Sequence, residues 1–266
     1  MDITFNVPTR INLVVDKLDA PLMVCSHERS GTHFLMNSLA SCTKYVSNPW
    51  LNYDLIPFGG TVNFYSENSV REFFANFFNM RVNGSTYGLA SLVKSHFPLS
   101  MVQGALNAGI KVAYIYRNPV ATLLSFWRLI HSLDWFEGPK LATPLDLARH
   151  VPCGQGQRYQ TRNCECYFDR WALHVTDAMR MANTTNQVAL VSYESLVSSH
   201  ASSIKTLLGE LGIALLNDPV YPSRERNVIV GAKIDVPDEA MQNLKEFCRQ
   251  RAKLHPDLPA SALEHI

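Results

Sequence analysis

The stretch Leu22-Met-Val-Cys-Ser-His-Glu-Arg-Ser-Gly-Thr-His-Phe-Leu-Met-Asn-Ser-Leu39 decides the fold of this chain. The apolar run that ends near Cys25 predicts a buried strand, and a polar turn that contains Gly31 follows it. Beyond the turn, apolar residues that include Leu35 and Leu39 recur at helical spacing. The pattern therefore predicts a strand–loop–helix unit.

Such a unit is suited to binding an anion. Backbone N–H groups of the turn and of the helix N-terminus point at a bound phosphate, Ser30 and Thr32 add hydroxyl groups, and Arg29 adds a planar positive charge. An ATP-binding loop requires a Lys-Ser/Thr pair after its second glycine, whereas His33 follows Thr32 here, so a Mg-ATP site is disfavoured. On these residues alone, an ordinary strand-to-helix turn with an exposed arginine is the alternative.

Length and composition limit the classes of protein to which this chain can belong. The chain has 266 residues, of which 47% are hydrophobic, and this is enough for a sizeable core. Its 24 basic and 23 acidic residues leave a formal charge of +1. A balanced charge argues against a broad polyanion-binding surface, so we expect no nucleic acid partner and basic residues concentrated at a site.

The sequence also suggests where the protein works. No targeting segment and no apolar run of about 18 residues is evident, so we expect a cytoplasmic protein with no membrane partner. Six cysteines are spread along the chain, which favours free thiols over a disulfide scaffold. A metal site built from His150, Cys153, Cys164 and Cys166 is the alternative, but their spacing matches no common zinc pattern.

A second apolar run, from Leu89 to Val93, ends in Lys94-Ser-His-Phe-Pro98. Polar residues at the carboxyl end of a buried strand are where α/β sheets bind ligands. Lys94 and His96 are two residues apart, so they face the same side of an extended segment. This makes a paired electrophile and base plausible, with a structural histidine as the alternative.

The third strand is predicted from Lys111 to Tyr116, and Arg117-Asn-Pro119 closes it. Asn and Pro in this order are typical of a helix N-cap followed by the first helical turn. Arg117 then lies beside the positive end of the helix, with Ser125 about two turns along. The pair is a second candidate anion site, and an arginine paired with a nearby carboxylate is the alternative.

The remaining pattern alternates strands and helices, which predicts a central parallel β-sheet flanked by helices. We expect one α/β domain over residues 1–266, because no repeat or linker is evident. The other expected elements are an edge strand at 11–15, a loop or lid at 45–60, a helix at 67–80, an irregular insertion at 131–162, a helix around 171–179, a strand at 188–191, a helix at 204–211 and a surface helix at 237–251.

Three stretches in this order resemble the cytosolic-type sulfotransferases: Ser26-His-Glu-Arg-Ser-Gly-Thr-His-Phe34, Lys94-Ser-His-Phe-Pro98 and Tyr114-Ile-Tyr-Arg-Asn-Pro-Val-Ala-Thr-Leu-Leu-Ser-Phe126. Val188-Ala-Leu-Val-Ser-Tyr-Glu-Ser-Leu196 looks like the family's strand before its Tyr-Glu turn. The resemblance covers roughly residues 20 to 212 and implies a phosphosulfate-binding strand–loop–helix like that of P-loop nucleotide kinases.

The resemblance implies a reaction. The donor would be 3′-phosphoadenosine 5′-phosphosulfate (PAPS) and the product 3′,5′-adenosine diphosphate (PAP), with no metal. The catalytic residues would be His96 as general base, with Arg29 and Lys94 offsetting negative charge. The residues that would bind PAPS are Arg29, Ser30, Gly31, Thr32, His33, Phe34, Arg117, Ser125, Tyr193, Arg226 and Asn227.

The chain departs from the family pattern in places. His33 stands where the family has Thr, Val228 replaces the first glycine of a late loop, and the segment before that loop is much shortened. One wall of the adenine site must therefore be built differently. The family's C-terminal dimerisation motif is not evident, which leaves the oligomeric state open.

The acceptor is expected to be a small molecule with a hydroxyl group, or alternatively an amine. Aromatic residues dominate the two segments that would shape its pocket, and no run of Lys and Arg suits a polysaccharide. These aromatic and histidine residues are Trp50, Tyr53, Phe58, Trp127, His131, Trp135 and Phe136. An ATP-dependent small-molecule kinase and a non-catalytic nucleotide-binding protein remain as rival functions.

Overall fold

A computed structural model describes residues 22–52, 81–82, 85–86, 91–107, 109–134, 138–160, 162–223, 233–264 and 266. The strand expected at 11–15, the helix expected at 67–80, and the predicted ligand residues Arg226 and Asn227 lie outside these ranges. That residues 1–266 form one domain stays a prediction.

A five-stranded sheet forms the centre of the described structure, in the order β2-β5-β1-β6-β7, and every pairing in it is parallel. Its strands are β1 (Leu22–Cys25), β2 (Val46–Asn52), β5 (Ser91–Ser95), β6 (Lys111–Tyr116) and β7 (Val188–Ser192). A separate two-stranded ribbon pairs β3 (Arg81–Val82) with β4 (Ser85–Thr86). The predicted parallel sheet is confirmed, and the strand of the opening stretch lies in its middle.

Helices cover both faces of the sheet, as a parallel sheet requires. They are α1 (Thr32–Cys42), α2 (Gln103–Asn107), α3 (Pro119–Ser132), α4 (Pro144–Arg149), α5 (Tyr167–Ala182), α6 (Tyr193–Ser198), α7 (His200–Glu210), α8 (Asp238–Ala252) and α9 (Ala260–Leu263). Short 3₁₀ turns span Leu99–Val102 and Gly154–Gln157. Among the described residues, no helix is both long and apolar enough to cross a membrane.

The alternation of side chains along the strands builds two cores. Met23 and Cys25 of β1 belong to the cluster that includes residues of α3, α5 and α8. Leu22 and Val24 belong to the other, with residues of α1 and α7. Successive side chains of a strand point to opposite faces, so a continuous apolar run can serve both layers.

Two sequence expectations were wrong in part. Residues 45–60 were expected to form a loop, but β2 extends through 46–52 at the edge of the sheet. An edge position tolerates Pro49, and the register of β2 on β5 shifts between Ser47 and Asn52. Composition alone could not separate such an irregular edge strand from a loop.

The second correction concerns 131–162, expected to be an irregular insertion. α3 continues to Ser132, and α4 lies inside the segment. Thr143 accepts a hydrogen bond from the backbone N–H of Asp146, whose carboxylate in turn accepts from the backbone N–H of Thr143. This capping box stabilises a helix too short to show an apolar period.

Candidate functional site

The carboxyl ends of four adjacent strands bring most of the predicted site residues to one edge of the sheet. The segments that follow these strands are the loop 26–31 after β1, His96 after β5, Arg117 after β6 and Tyr193 after β7. Open parallel sheets bind ligands at this edge.

The loop 26–31 has a backbone that few sequences adopt. The φ angle is 69° at Arg29 and 102° at Gly31, both in the left-handed region. A Cβ atom at Gly31 would lie 2.5 Å from Cδ2 of Tyr193, so the close approach of the loop to that ring also requires glycine. Ser26 anchors the loop, because its N–H donates to the Ser95 carbonyl at 3.2 Å and its Oγ lies 2.6 Å from Oγ1 of Thr32.

Two arginines and a serine from different elements meet beside this loop. Nε of Arg29 donates to Oγ of Ser125 at 3.0 Å. The guanidinium carbon of Arg117 lies 4.2 Å from the centroid of the Tyr193 ring. Burial and the nearby charge of Arg117 both lower the pKa of Arg29. An anion bound between the two guanidinium groups would offset this repulsion.

The same region contains buried polar atoms that need a partner. Oγ of Ser30 and Nε of Arg117 are shielded from solvent, and within the described ranges neither has a hydrogen-bond partner. A buried donor without a partner costs about 1–3 kcal/mol, so such atoms commonly mark a ligand site. Their surroundings suit a phosphate or sulfate group.

The imidazole of His96 is held in one tautomer just beyond the end of β5. Its Nδ1 lies 3.0 Å from the Ser26 carbonyl, which can only accept, so Nδ1 carries the proton and Nε2 keeps its lone pair. Burial and the charge of Lys94 lower the pKa of His96 to about 3, although Glu28 acts in the opposite direction. The imidazole is therefore neutral and able to accept a proton at physiological pH.

Lys94 and His33 form a pair across two elements. Nζ of Lys94 donates to Nε2 of His33 at 3.2 Å. Burial, with the charges of Lys94 and Arg29, lowers the pKa of His33 to about 4. His33 is thus a neutral acceptor that orients the ammonium group of Lys94, a role that threonine could not fill with the same reach.

Phe34 lies in an aromatic cluster. Its ring centroid is 5.8 Å from that of Tyr193, 5.8 Å from that of His200 and 5.1 Å from that of Tyr221. Tyr221 reaches this position because the segment that carries it returns to α1, where the N–H groups of Leu216 and Val220 bond Cys42 and Ser41. The shortened late segment thereby contributes an aromatic side chain beside Phe34.

A buried polar network, which sequence reasoning missed, supports the loop 26–31. Nη2 of Arg170 donates to both carboxylate oxygens of Glu28 at 2.7 Å, and Nη1 donates to Nε2 of His27 at 2.8 Å. Burial alone would raise the pKa of Glu28, but the charge and hydrogen bond of Arg170 together with the nearby His27 and His96 outweigh it, and the pKa falls to about 2. The loop therefore holds a permanently ionised carboxylate.

The same network fixes the end of β5. Nε2 of His174 donates to the His96 carbonyl at 2.9 Å, while the Tyr114 hydroxyl donates to Nδ1 of His174 at 2.7 Å. Arg170, His174 and Asp177 are spaced i, i+4 and i+7 on α5, and all three are buried. The sequence signal that could have identified these residues is their spacing, which places polar side chains at positions that face the core of an amphipathic helix.

The acceptor-side aromatics are only partly within the described residues. Trp127 is 4% exposed and its indole N–H donates to the Leu141 carbonyl, while Nδ1 of His131 donates to the Trp127 carbonyl. Both are committed to packing around α3. The side chains of Trp50, Tyr53, Phe58, Trp135 and Phe136 lie outside the described part of the structure.

No arrangement of three or more His, Cys, Asp or Glu side chains among the described residues could hold a metal ion. None of the six cysteines, which include the three considered for zinc, forms a disulfide.

Comparison with known proteins gives one family. The model of the sulfotransferase domain matches residues 19–228. No curated protein is significantly similar in sequence.

Solved structures resemble this chain at low sequence identity. A sulfotransferase from Alicyclobacillus acidocaldarius is 15% identical with a TM-score of 0.54, and the match covers 94% of this chain and 98% of that one. A mouse sulfotransferase complexed with PAP is 18% identical, with a TM-score of 0.45 and coverage of 91% and 69%. A retinol dehydratase complexed with androsterone and PAP is 17% identical, with a TM-score of 0.43 and coverage of 92% and 66%.

Proposed function

The chain belongs to the sulfotransferase family, and from this premise we propose that it transfers a sulfuryl group from PAPS to a hydroxyl group of a small organic acceptor. The observation that carries the proposal is that Arg29 and Arg117 lie close enough for their charges to interact, while Oγ of Ser30 and Nε of Arg117 are buried without hydrogen-bond partners among the described residues. A nucleotide with two anionic groups would supply the negative charge and the hydrogen-bond acceptors that these side chains lack.

The residues around the loop 26–31 fit the parts of this donor. Arg29, Ser30, Gly31 and Thr32 would hold the 5′-phosphosulfate at the N-terminus of α1. This assignment is supported by the backbone of the loop, which leaves no room for a side chain at position 31.

The remaining donor contacts would come from the other strand ends. Arg117 and Ser125 would hold the 3′-phosphate, and Phe34 and Tyr193 would pack on adenine. His33 would act by orienting Lys94. Arg226 and Asn227, outside the described residues, are further proposed contacts.

When bound, PAPS supplies a sulfuryl group on a phosphate leaving group. His96 takes the proton of the acceptor hydroxyl at Nε2, which its Nδ1–Ser26 bond leaves basic. Arg29 and Lys94 provide fixed positive charge where negative charge develops on oxygen. The ionised Glu28 favours the protonated form of His96, because its charge acts on that ring.

The first test separates the donor site from its rivals. We expect isothermal titration to show PAP binding without a metal and much weaker binding of Mg-ATP. Tight Mg-ATP binding with no PAP binding would make the sulfotransferase function wrong. Labelled PAPS and a panel of alcohols, phenols, amines, oligosaccharides and tyrosine peptides then identify the acceptor class, and transfer only to an amine, a polysaccharide or a peptide would contradict a small hydroxylated acceptor.

The second test concerns the general base. His96→Ala should bind PAP with wild-type affinity, yet turn over about 10²–10⁴-fold more slowly, as expected for loss of a general base. His150→Ala, a change at the C-cap of α4, is the matched control and should retain turnover. A His96→Ala enzyme with near wild-type turnover would remove His96 from the mechanism.

A further inference from the structure

The base proposed for this enzyme becomes a cation where a positive charge is disfavoured. His96 directly follows β5, and Lys94 lies in that strand. Burial and the charge of Lys94 lower the pKa of His96, and the nearby His174 acts in the same direction. The imidazolium that forms when His96 takes a proton from the acceptor therefore needs a negative charge close by.

The carboxylate of Glu28, in the loop 26–31, acts on His96 in the opposite direction. Its charge raises the pKa of His96, and His96 in turn lowers the pKa of Glu28, so each group favours the charged form of the other. The same loop holds the ring, because Nδ1 of His96 donates to the Ser26 carbonyl at 3.0 Å. One loop thus fixes the tautomer of the base and supplies a negative charge near it.

Arg170 keeps this carboxylate ionised and in one orientation. Its Nη2 donates to both oxygens of Glu28 at 2.7 Å, and its Nη1 donates to Nε2 of His27, the neighbouring residue, at 2.8 Å. The guanidinium group has a further anchor, since the Arg158 carbonyl accepts from Nε at 3.3 Å and from Nη2 at 3.0 Å. The side chain of Arg170 is 0% exposed and that of Glu28 is 13% exposed, so water competes little with the pair.

Fastening the loop to α5 is the simpler role for this ion pair. A buried ion pair is a poor device for that purpose alone, because the desolvation of two charges offsets most of their attraction and an apolar pair of similar size is often as stabilising. The charge of Glu28, however, reaches the ring that would have to ionise. Since electrostatic interactions are strong where water is excluded, this charge favours the transition state of proton transfer over the neutral ground state.

We propose that Glu28 is a positioning residue that stabilises the imidazolium formed on His96 during the reaction, and that Arg170 holds the carboxylate for this role. The proposal rests on the proposed sulfuryl transfer and adds two residues to it. As the acceptor oxygen bonds to sulfur, its proton moves to Nε2 of His96, and PAP leaves with the electron pair of the broken sulfur–oxygen bond. Glu28 stays ionised throughout, and the imidazolium afterwards gives its proton to water.

The first test compares Glu28→Gln with Glu28→Asp. Glutamine matches the shape of glutamate and can accept from Arg170 but carries no charge, whereas aspartate keeps the charge on a shorter side chain. Glu28→Gln should lower kcat about tenfold, less than the ~10²–10⁴-fold expected for loss of the base itself, and Glu28→Asp should lower it less. A residue that only fastens the loop would give the reverse order.

PAP affinity gives a second readout for Glu28→Gln. The substitution removes a negative charge near an anion site, so the affinity measured by isothermal titration should stay the same or rise. Loss of a residue that only fastens the loop would instead weaken PAP binding.

The second test measures how strongly transfer depends on the base. Labelled PAPS is supplied with ethanol or with 2,2,2-trifluoroethanol, which is similar in shape but more acidic and so relies less on a base. Glu28→Gln should slow transfer to ethanol about threefold more than transfer to trifluoroethanol, and His96→Ala should show a bias in the same direction. Glu165→Gln is the matched control, because it removes a carboxylate that also pairs with an arginine, Arg251, but is 82% exposed. It should slow neither reaction.

The third test asks whether Arg170 acts through Glu28. Arg170→Lys keeps the charge but cannot bond both carboxylate oxygens with the same planar geometry, so it should slow transfer to ethanol more than transfer to trifluoroethanol. The double variant with Glu28→Gln should be no slower than Glu28→Gln alone, because both changes act on one carboxylate. Additive losses would overturn the role given to Arg170.

Three outcomes would overturn the role given to Glu28. They are a wild-type kcat in Glu28→Gln, a lower kcat in Glu28→Asp than in Glu28→Gln, and an equal loss with both alcohols. Wild type that binds no PAP would overturn the donor site instead, and wild type that binds PAP but transfers to neither alcohol would overturn the hydroxyl acceptor. The wild-type measurements therefore separate failure of the proposed function from failure of this inference.

Discussion

Arg29 and Arg117 are two like charges brought together by the ends of different strands. Their proximity, with Nε of Arg117 buried without a partner among the described residues, is unfavourable unless an anion is bound. Tyr193 offsets part of the cost through the cation–π contact with Arg117. The arrangement therefore lowers the stability of the free protein, and the proposed anionic donor would offset this cost.

Arg117→Ala tests which phosphate this residue binds. Loss of a charge-assisted contact should weaken PAP binding by about 1.5–3 kcal/mol, roughly 10- to 150-fold, measured by isothermal titration. Adenosine 5′-phosphosulfate, which lacks the 3′-phosphate, should bind the variant and wild type almost alike.

Arg180→Ala is the matched control for Arg117→Ala. Its side chain is 67% exposed and pairs with Asp177 three residues earlier on the same helix, so PAP binding should not change. If Arg117→Ala weakened both nucleotides equally, Arg117 would bind the 5′ end and the 3′-phosphate assignment would be wrong.

The site residues that could be predicted from the sequence are those that lie in local motifs. Lys94, His96 and Arg117 lie at or directly after the ends of apolar strands and Arg29 lies in the loop after β1, so their common edge followed from the parallel sheet alone. Arg170 could not be predicted this way, because it lies on a helix 142 positions from its partner Glu28. Sequence spacing reports neighbours on one element and carries no information about such a pair.

At the scale of elements, the turns after β6 and β7 are tied together by one side chain. Oδ1 of Asn118 accepts from the backbone N–H of Ala121 at 2.8 Å and caps α3. Its Nδ2 and its backbone N–H both donate to Oε1 of Glu194, at 2.7 and 3.1 Å. Arg117 and Tyr193, the neighbours of these two residues, are thereby held in register.

Asn118→Ala should therefore have two effects. Loss of the cap should lower the free energy of unfolding by about 1 kcal/mol, measured by urea titration. PAP affinity should fall as well, because Glu194 loses a hydrogen bond and the adjacent Tyr193 is less well held.

Thr143→Ala gives the matched comparison, since it removes the capping box of α4 on an exposed surface. We expect a similar loss of stability with no change in PAP affinity. Equal PAP affinities for the two variants would mean that Asn118 serves only as a cap.

The elements themselves were predictable to different degrees. The central strands and α5 were confirmed because their apolar patterns were long or closed by clear signals such as Asn-Pro. The prediction of a loop at 45–60 missed β2, because an edge strand that contains Pro49 lacks that pattern. The prediction of an irregular segment at 131–162 missed α4, because this helix spans only Pro144–Arg149. Tertiary pairing and capping, rather than periodicity, determine both.

Across the whole molecule, the polar network places neutral histidines inside the core. His27 and His174 are each 1% exposed, and their ring centroids lie 5.6 Å apart. Burial is the largest cause that lowers the pKa of both, and it also lowers that of His96. The fold therefore binds fewer protons than the unfolded chain below the ordinary histidine pKa of 6.5.

This difference makes the protein sensitive to acid. Each ring whose folded pKa is lowered contributes stability above pH 6.5 that is lost as the pH falls toward the folded value, at about 1.4 kcal/mol per pH unit. Three such rings give a slope of at most about 4 kcal/mol per unit, approached about one unit below pH 6.5 where the unfolded rings are almost fully protonated. Glu28 adds a second, lower window, from its ordinary pKa of 4.5 down to about 2.

Urea titrations between pH 7.5 and 5 measure this slope, and His174→Asn isolates one ring. The variant should lose stability at every pH, but its slope should be shallower by at most about 1.4 kcal/mol per pH unit, because one proton-binding site is absent from the unfolded chain. Tyr114→Phe is the control, since it removes the 2.7 Å hydrogen bond to the same ring and keeps the imidazole. It should be less stable with the wild-type slope. If both variants had the same slope, acid sensitivity would come from groups other than the buried histidine beneath the end of β5.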